Sequence, residues 1–75
     1  MIDLRFREVL GKAQHLLSQS PVEALHRLRV EPCGEMIRIS GRVTTYYLKQ
    51  QAQECIRPVT IGFHLRNDVR VKLTA

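Results

Sequence analysis

A chain of 75 residues has room for one domain with a single hydrophobic core. A composition of 44% hydrophobic and 25% charged residues is typical of a folded globular protein, and no stretch is apolar enough to predict a transmembrane helix. Twelve Lys and Arg against seven Asp and Glu give a net charge of +5, which favours anionic partners such as nucleic acid or acidic lipid. We therefore take residues 1–75 as one domain whose function depends on where its cations lie.

The sequence lacks the patterns of an exported or a metal-binding protein. Charges interrupt the apolar residues from Met1 to Arg7, so no signal peptide is expected, and the chain as given is predicted to be cytoplasmic, with peripheral membrane association left open. Cys33 and Cys55 are too few for a disulfide framework and are predicted to be free thiols. Neither they nor the three histidines have the spacing of metal ligands, so we expect no metal and no cofactor.

The first predicted element is an amphipathic helix. Apolar residues in the range 3–19 recur at steps of three and four, which places them on one helical face. The next stretch, 20–23, reads Ser-Pro-Val-Glu, the order of a capping box with serine at the N-cap and proline at the first helical position. A short helical turn is therefore predicted to end near His26.

A change of apolar period predicts a β-hairpin after this turn. From Arg27 the period becomes two, with Leu28 and Val30 pointing to one side. Residues 32–35 supply turn-forming types, and the alternation resumes over residues 37–43. Two antiparallel strands joined by a four-residue turn are expected.

A second helix and a third strand complete the predicted fold. Thr44 or Thr45 can cap a helix whose apolar residues over 48–56 share one face, and Pro58 is expected to end it. After a loop, residues 69–73 alternate again as a strand. The order αββαβ, with two main helices and three strands, predicts a small α/β domain.

Alternation along the strands also predicts where the charge lies. Successive side chains of a strand point to opposite faces, so cations between apolar positions should face away from the helices. The candidate anion-binding residues are Arg27, Arg29, Arg38, Arg42, Arg70 and Lys72. Few anions, such as Glu31 and Asp68, would relieve this charge, and like charges on neighbouring strands repel. A bound polyanion would remove that repulsion.

This charged face has two interpretations. Any two-layer domain needs a polar outer surface, and arginines on strands also discourage edge-to-edge aggregation. Alternatively, the cations attract an anionic surface, because each Lys or Arg near an acidic bilayer contributes about 1 kcal/mol before screening. Binding that is weak and sensitive to salt is the expectation.

No catalytic pattern accompanies these cations. The sequence has no glycine-rich phosphate loop and no paired carboxylates, and Cys33, in the predicted exposed turn, has no identifiable base. We therefore expect no catalytic residues and no enzymatic activity. Tyr46 and Tyr47 point in different directions from a helix, so one is predicted to pack against the sheet and the other to be available to a partner. The strands carry arginines where an RNA-binding sheet would carry stacking aromatics.

Four segments between Leu28 and Val71 together carry a family resemblance. They read Leu28-Arg29-Val30, Ile37-Arg38-Ile39-Ser40-Gly41-Arg42-Val43, Tyr47-Leu48-Lys49-Gln50-Gln51-Ala52-Gln53-Glu54 and Asn67-Asp68-Val69-Arg70-Val71. In this order the chain resembles the BON domain, a bacterial module first noticed in osmotic-stress and nodulation proteins. Gly41 is expected to let its strand approach the helix closely, and Ala52 to let the helix approach the strand. Asn67 is the first residue of the last matching segment.

The resemblance implies an α/β fold, an α+β two-layer sandwich with two main helices on one face of a three-stranded mixed sheet. It also implies a binding module proposed to attach proteins to phospholipid membranes. It supplies no catalytic residues. The leading expectation is therefore a non-catalytic module that binds anionic phospholipid through the outer face of the sheet. Two alternatives stay open: a nucleic-acid-binding protein that uses the same cations, and a protein-interaction or oligomerisation module that uses Tyr46 or Tyr47 and an exposed sheet edge.

Overall fold

Residues 4–73, which the computed structural model describes, form two α-helices, two short 3-10 helices and five short strands. The elements in chain order are α1 Leu4–Ser18, a 3-10 helix Glu23–Leu25, β1 Arg29–Cys33, β2 Met36–Ser40, β3 Arg42–Val43, α2 Tyr46–Ile56, a second 3-10 helix Arg57–Val59, β4 Leu65–Asn67 and β5 Arg70–Val71. The predicted α/β sandwich, two helices and a three-stranded mixed sheet in the order αββαβ, is confirmed.

The two helices form as their apolar spacing predicts. Phe6, Ala13 and Leu17 of α1 are buried, and the predicted start at Asp3 lies outside the described residues. The Thr45 hydroxyl caps α2 by accepting a hydrogen bond from the backbone N–H of Leu48 at 3.0 Å. The helix ends at Ile56, two residues before the proline.

The predicted capping box is wrong. The first 3-10 helix begins at Glu23 and has Val22 at its N-cap, without a side-chain cap. The Ser20 hydroxyl instead accepts a hydrogen bond from the N–H of Val22 at 3.0 Å, and the Ser20 carbonyl lies 2.6 Å from Nε2 of His26. The serine thus forms a local turn of its own, and the helical turn starts only after that turn.

The hairpin is tighter than the sequence indicated. β1 and β2 pair antiparallel with Cys33 opposite Met36, so Pro32 and Cys33 belong to the strand. Cys33 is therefore half-buried at the end of β1, not in an exposed turn. Two residues suffice for the turn because Gly34 adopts a φ of 62°, the left-handed conformation that such short turns require.

The last strand begins earlier than predicted and runs in two pieces. β4 starts at Leu65 and pairs parallel with β2, and β5 pairs parallel with β3, so that Ile37 lies opposite Leu65 and Arg42 opposite Arg70. These two pairs have the same separation in sequence, so one ladder runs through both pieces. Leu73, the last residue of the predicted strand, lies beyond β5 and is 68% exposed.

Asn67 makes the break between β4 and β5 and ties it to α2. Its Oδ1 accepts a hydrogen bond from the backbone N–H of Val69 at 3.2 Å. Its Nδ2 donates to the carbonyl of Lys49 at 3.0 Å and to Oε1 of Gln53 at 3.3 Å. One amide therefore holds the last strand in register beneath the helix, where Ala52 is fully buried.

Gln14 of α1 covers the outer edge of β1. Its Nε2 donates to the carbonyl of Leu28 at 2.9 Å, and its Oε1 accepts from the backbone N–H of Val30 at 2.9 Å. The side-chain amide thus makes the two bonds that a neighbouring strand would make at this position. The sequence pattern did not indicate this contact.

Gly41 separates β2 from β3, and its predicted role needs correction. Its φ is 130°, and a Cβ built on it would lie 2.6 Å from Cδ2 and 3.4 Å from Cα of Leu28. The close neighbour is therefore the residue that leads into β1, not the helix. The missing side chain lets the buried Leu28 cross over the strand break.

Replacing Gly41 by alanine should destabilise the fold more than replacing Gly34. Both glycines have positive φ, but the Gly34 Cβ would have no atom within 4 Å. We expect Gly34→Ala to lower the free energy of unfolding by about 1–2 kcal/mol from backbone strain. Gly41→Ala should lower it by about 2–4 kcal/mol, because the clash with Leu28 adds to the strain. Urea denaturation measures both; equal losses would contradict the assigned contact.

Candidate anion-binding surface

The outer face is defined here as the side of the sheet turned away from the helices. Ile37 and Ile39 of β2 are fully buried, so the alternate residues of this strand point outward. The strand register places Arg38 between Glu31 and Arg66. Cations and carboxylates from three strands therefore meet across this face.

An ion-paired group occupies the middle of the outer face. Nε of Arg38 lies 2.8 Å from Oδ2 of Asp68, and Nε of Arg66 lies 2.9 Å from the same oxygen. Glu31 is 3.9 Å from Nη1 of Arg38 and accepts a hydrogen bond from the Ser40 hydroxyl at 3.2 Å. We call these five residues the carboxylate cluster. It engages Arg38, which the sequence placed among the candidate binding cations, in pairs within the protein.

Arg66 is a cation of this face that the sequence analysis missed. The apolar alternation predicts a last strand that begins at Val69, which leaves Arg66 in the preceding loop. Its alternation with Leu65 and Asn67 was the available signal, but a three-residue strand is too short for periodicity to identify. The parallel ladder reveals its position by setting it opposite Arg38.

The carboxylate of Asp68 holds the two arginines of the carboxylate cluster together. Partial desolvation by itself would raise its pKa, but hydrogen bonds from Arg66 and Arg38, and the positive charge of both groups, outweigh that effect. The pKa of Asp68 is therefore held below its ordinary value. Two guanidinium groups share one ionised carboxylate.

The other five predicted cations gather at one end of the sheet, which we call the basic end. Because β1 runs antiparallel to β2, Arg29 lies opposite Ser40, close to the strand break that leads to Arg42. Arg42 in turn faces Arg70 across the parallel ladder. The residues of the basic end are Arg27, Arg29, Arg42, Arg70 and Lys72. All five are exposed, and none lies within 4.0 Å of a carboxylate of residues 4–73.

Exposed apolar side chains flank the basic end. Tyr46 and Tyr47, in the first turn of α2, are 71% and 68% exposed, and Leu73 follows β5. The prediction that one tyrosine packs against the sheet is wrong, because both side chains are exposed and burial in α2 begins with the half-buried Leu48. Tyr46 instead lines an open groove beside β5.

The Cys55 thiol of α2 lies against α1. Burial raises the pKa of the Cys55 thiol, although a hydrogen bond with Ser20 opposes the shift, and its Sγ lies 3.5 Å from the carbonyl of Leu16.

Within residues 4–73, no three His, Cys, Asp or Glu side chains gather where they could hold a metal ion. Neither helix in that range has the length and apolarity that crossing a bilayer would require.

Comparison of the chain with protein-family models, with curated proteins and with solved structures found no match. The resemblance to the BON domain therefore stays a prediction. The placement of charge described above comes from the chain's own residues.

Removing the Asp68 carboxylate should reduce stability in a pH-dependent way. Because its pKa is lowered in the folded state, the carboxylate stabilises the fold above its unfolded pKa, and that stabilisation is lost as the pH falls through the folded value. Asp68→Asn should therefore lower the melting temperature at neutral pH, and the difference from the parent should shrink below about pH 4. Thermal unfolding across this range measures the effect.

The matched control for this substitution is Glu54→Gln, which removes one exposed carboxylate paired with Arg57 at 3.2 Å on α2. An exposed pair of this kind contributes little, so the melting temperature should change only slightly. A melting-temperature difference for Asp68→Asn that does not depend on pH would contradict the role given to the carboxylate.

Proposed function

We propose that this chain is a non-catalytic module that associates with anionic phospholipid membranes through the basic end of its sheet. One observation carries the proposal: five exposed cations without a described carboxylate partner lie beside three exposed apolar side chains. Cations attract the acidic headgroups, and apolar side chains find a place at the boundary of the hydrocarbon region.

The expected strength of the interaction follows from the number of cations in the basic end. Each Lys or Arg near an acidic bilayer contributes about 1 kcal/mol, so five contribute at most about 5 kcal/mol before screening. The Debye length at physiological salt is only about 8 Å, which reduces that sum. Binding should therefore be reversible and should weaken as salt is added.

The carboxylate cluster limits the contact to one end of the molecule. Arg38 and Arg66 are already paired with Asp68, so the middle of the outer face presents little free positive charge. The strongest attraction acts where Arg42 and Arg70 lie side by side. We therefore expect the sheet to meet the membrane with its basic end rather than with the whole outer face.

The flanking apolar residues favour lipid over nucleic acid as the ligand. A phosphate backbone would engage the cations but would leave Leu73 in water. At a bilayer surface, Tyr46 and Tyr47 can place their rings at the headgroup level with the hydroxyls hydrated. The sequence resemblance to the BON domain points to the same class of ligand.

Reversing two charges of the basic end should strongly weaken vesicle binding. Arg42→Glu combined with Arg70→Glu changes the local charge by four units, which should weaken sedimentation with phosphatidylglycerol vesicles at least about tenfold after screening. The parent should bind these vesicles and should not bind phosphatidylcholine vesicles. Circular dichroism checks that the variant keeps its helices.

The matched control is Arg7→Glu combined with Lys12→Glu on α1, which lowers the net charge equally from two exposed positions on the helical layer. This variant should still bind acidic vesicles to within about threefold of the parent. Equal loss in both variants would show that net charge alone acts. A chain that shifts DNA or RNA on a gel but ignores acidic vesicles would replace lipid by nucleic acid as the ligand.

A further inference from the structure

The two outer edges of the sheet differ in their free hydrogen-bonding groups. On the β1 edge, the side chain of Gln14 already occupies the carbonyl of Leu28 and the N–H of Val30. The next residue of β1 whose backbone groups face this edge is Pro32, which has no N–H to donate. An incoming strand would therefore find few partners on this side.

The β5 edge, by contrast, is open. The N–H groups of Asp68, Arg70 and Lys72 all donate inward to the neighbouring strand. Their acceptors, in the same order, are the carbonyls of Ile39, Gly41 and Val43. In a parallel ladder the residues between them turn their backbone groups to the other side. The N–H and carbonyl of Val71 therefore face away from the sheet, and no strand of residues 4–73 lies there to pair with them.

The break between β4 and β5 and a groove beside α2 bound this open edge. The N–H of Val69 is already taken by Asn67, so the free segment begins at the Val69 carbonyl and continues through Val71 to Leu73. Tyr46 and Lys49 of α2 form the wall of a groove that runs beside the segment. An added strand would lie along β5 and turn alternate side chains towards this wall.

We infer that the free edge of β5 binds an extended acidic segment of a partner protein, which adds to the sheet as a further strand. The charge of the edge selects the partner. Arg70 and Lys72 point outward on either side of Val71, and Lys49 lines the groove. Acidic side chains of the added strand meet the two outward cations, and apolar ones pack beside Tyr46.

The same charges argue against a second copy of this chain as the occupant. Antiparallel pairing of two β5 edges would bring Arg70 and Lys72 of one copy against those of the other, and like charges on opposed strands destabilise pairing. Each copy also carries a net charge of +5. A partner strand of opposite charge removes this repulsion.

The probe for this site is a blocked peptide of alternating Glu and Val, added to the lipid-free protein and followed by NMR. The amides of Val71 and Leu73 should exchange more slowly with solvent when the peptide is bound. A peptide of alternating Glu and Pro has the same charge but lacks every second N–H, so it should bind at least about tenfold more weakly. Equal affinity for the two peptides, or no protection of the β5 amides, would overturn the inference.

A pair of variants at Leu73 tests the backbone contact without touching the cations. Leu73→Pro removes one edge N–H and should weaken Glu-Val peptide binding about threefold to tenfold, whereas Leu73→Ala keeps that N–H and should bind within about twofold of the parent. The same loss in both variants would overturn the edge contact. These peptide measurements contain no lipid, so a negative result would refute the edge contact and leave the membrane proposal standing. The vesicle assay tests the membrane proposal separately.

Discussion

The parallel ladder between the hairpin and the end of the chain is the constraint on which the rest of the structure depends. Its register sets Arg66 opposite Arg38 and Arg70 opposite Arg42, and so determines which cations meet a carboxylate. A parallel pair needs a crossover connection, which α2 provides, and Asn67 joins that helix to the ladder through two hydrogen bonds. Helix position, strand register and charge distribution are thus coupled through a single amide side chain.

The charge of the outer face is uneven because the carboxylates of Glu31 and Asp68 both lie near its middle. Glu31 and Asp68 both reach Arg38, so ion pairs hold the middle of the face, while the cations of the basic end have no carboxylate of residues 4–73 within 4.0 Å. Like charges that remain side by side oppose folding slightly. In the function that we propose, a bound anion removes this repulsion, and the exposed tyrosines beside the basic end suit a ligand at a membrane interface.

The two sheet edges show how a small domain controls strand addition. A three-stranded sheet has two exposed edges, each able to pair with another chain. One is protected by Gln14 and by a proline, both supplied by the fold's own residues. The other edge carries cations and begins at the break between β4 and β5. Its charge discourages pairing with a like-charged copy, and in our inference it attracts an acidic strand.

The sequence by itself determined the element order, because apolar periods of 3.6 and two are local properties that each segment carries alone. It also indicated which strand residues point outward. Only the tertiary structure decided that Arg38 is paired while Arg42 meets no carboxylate of residues 4–73. It also decided that Gly41 makes room for Leu28 and that Gln14 closes an edge. Each of these facts joins residues from separate elements, and no local pattern records a contact whose partner depends on strand register.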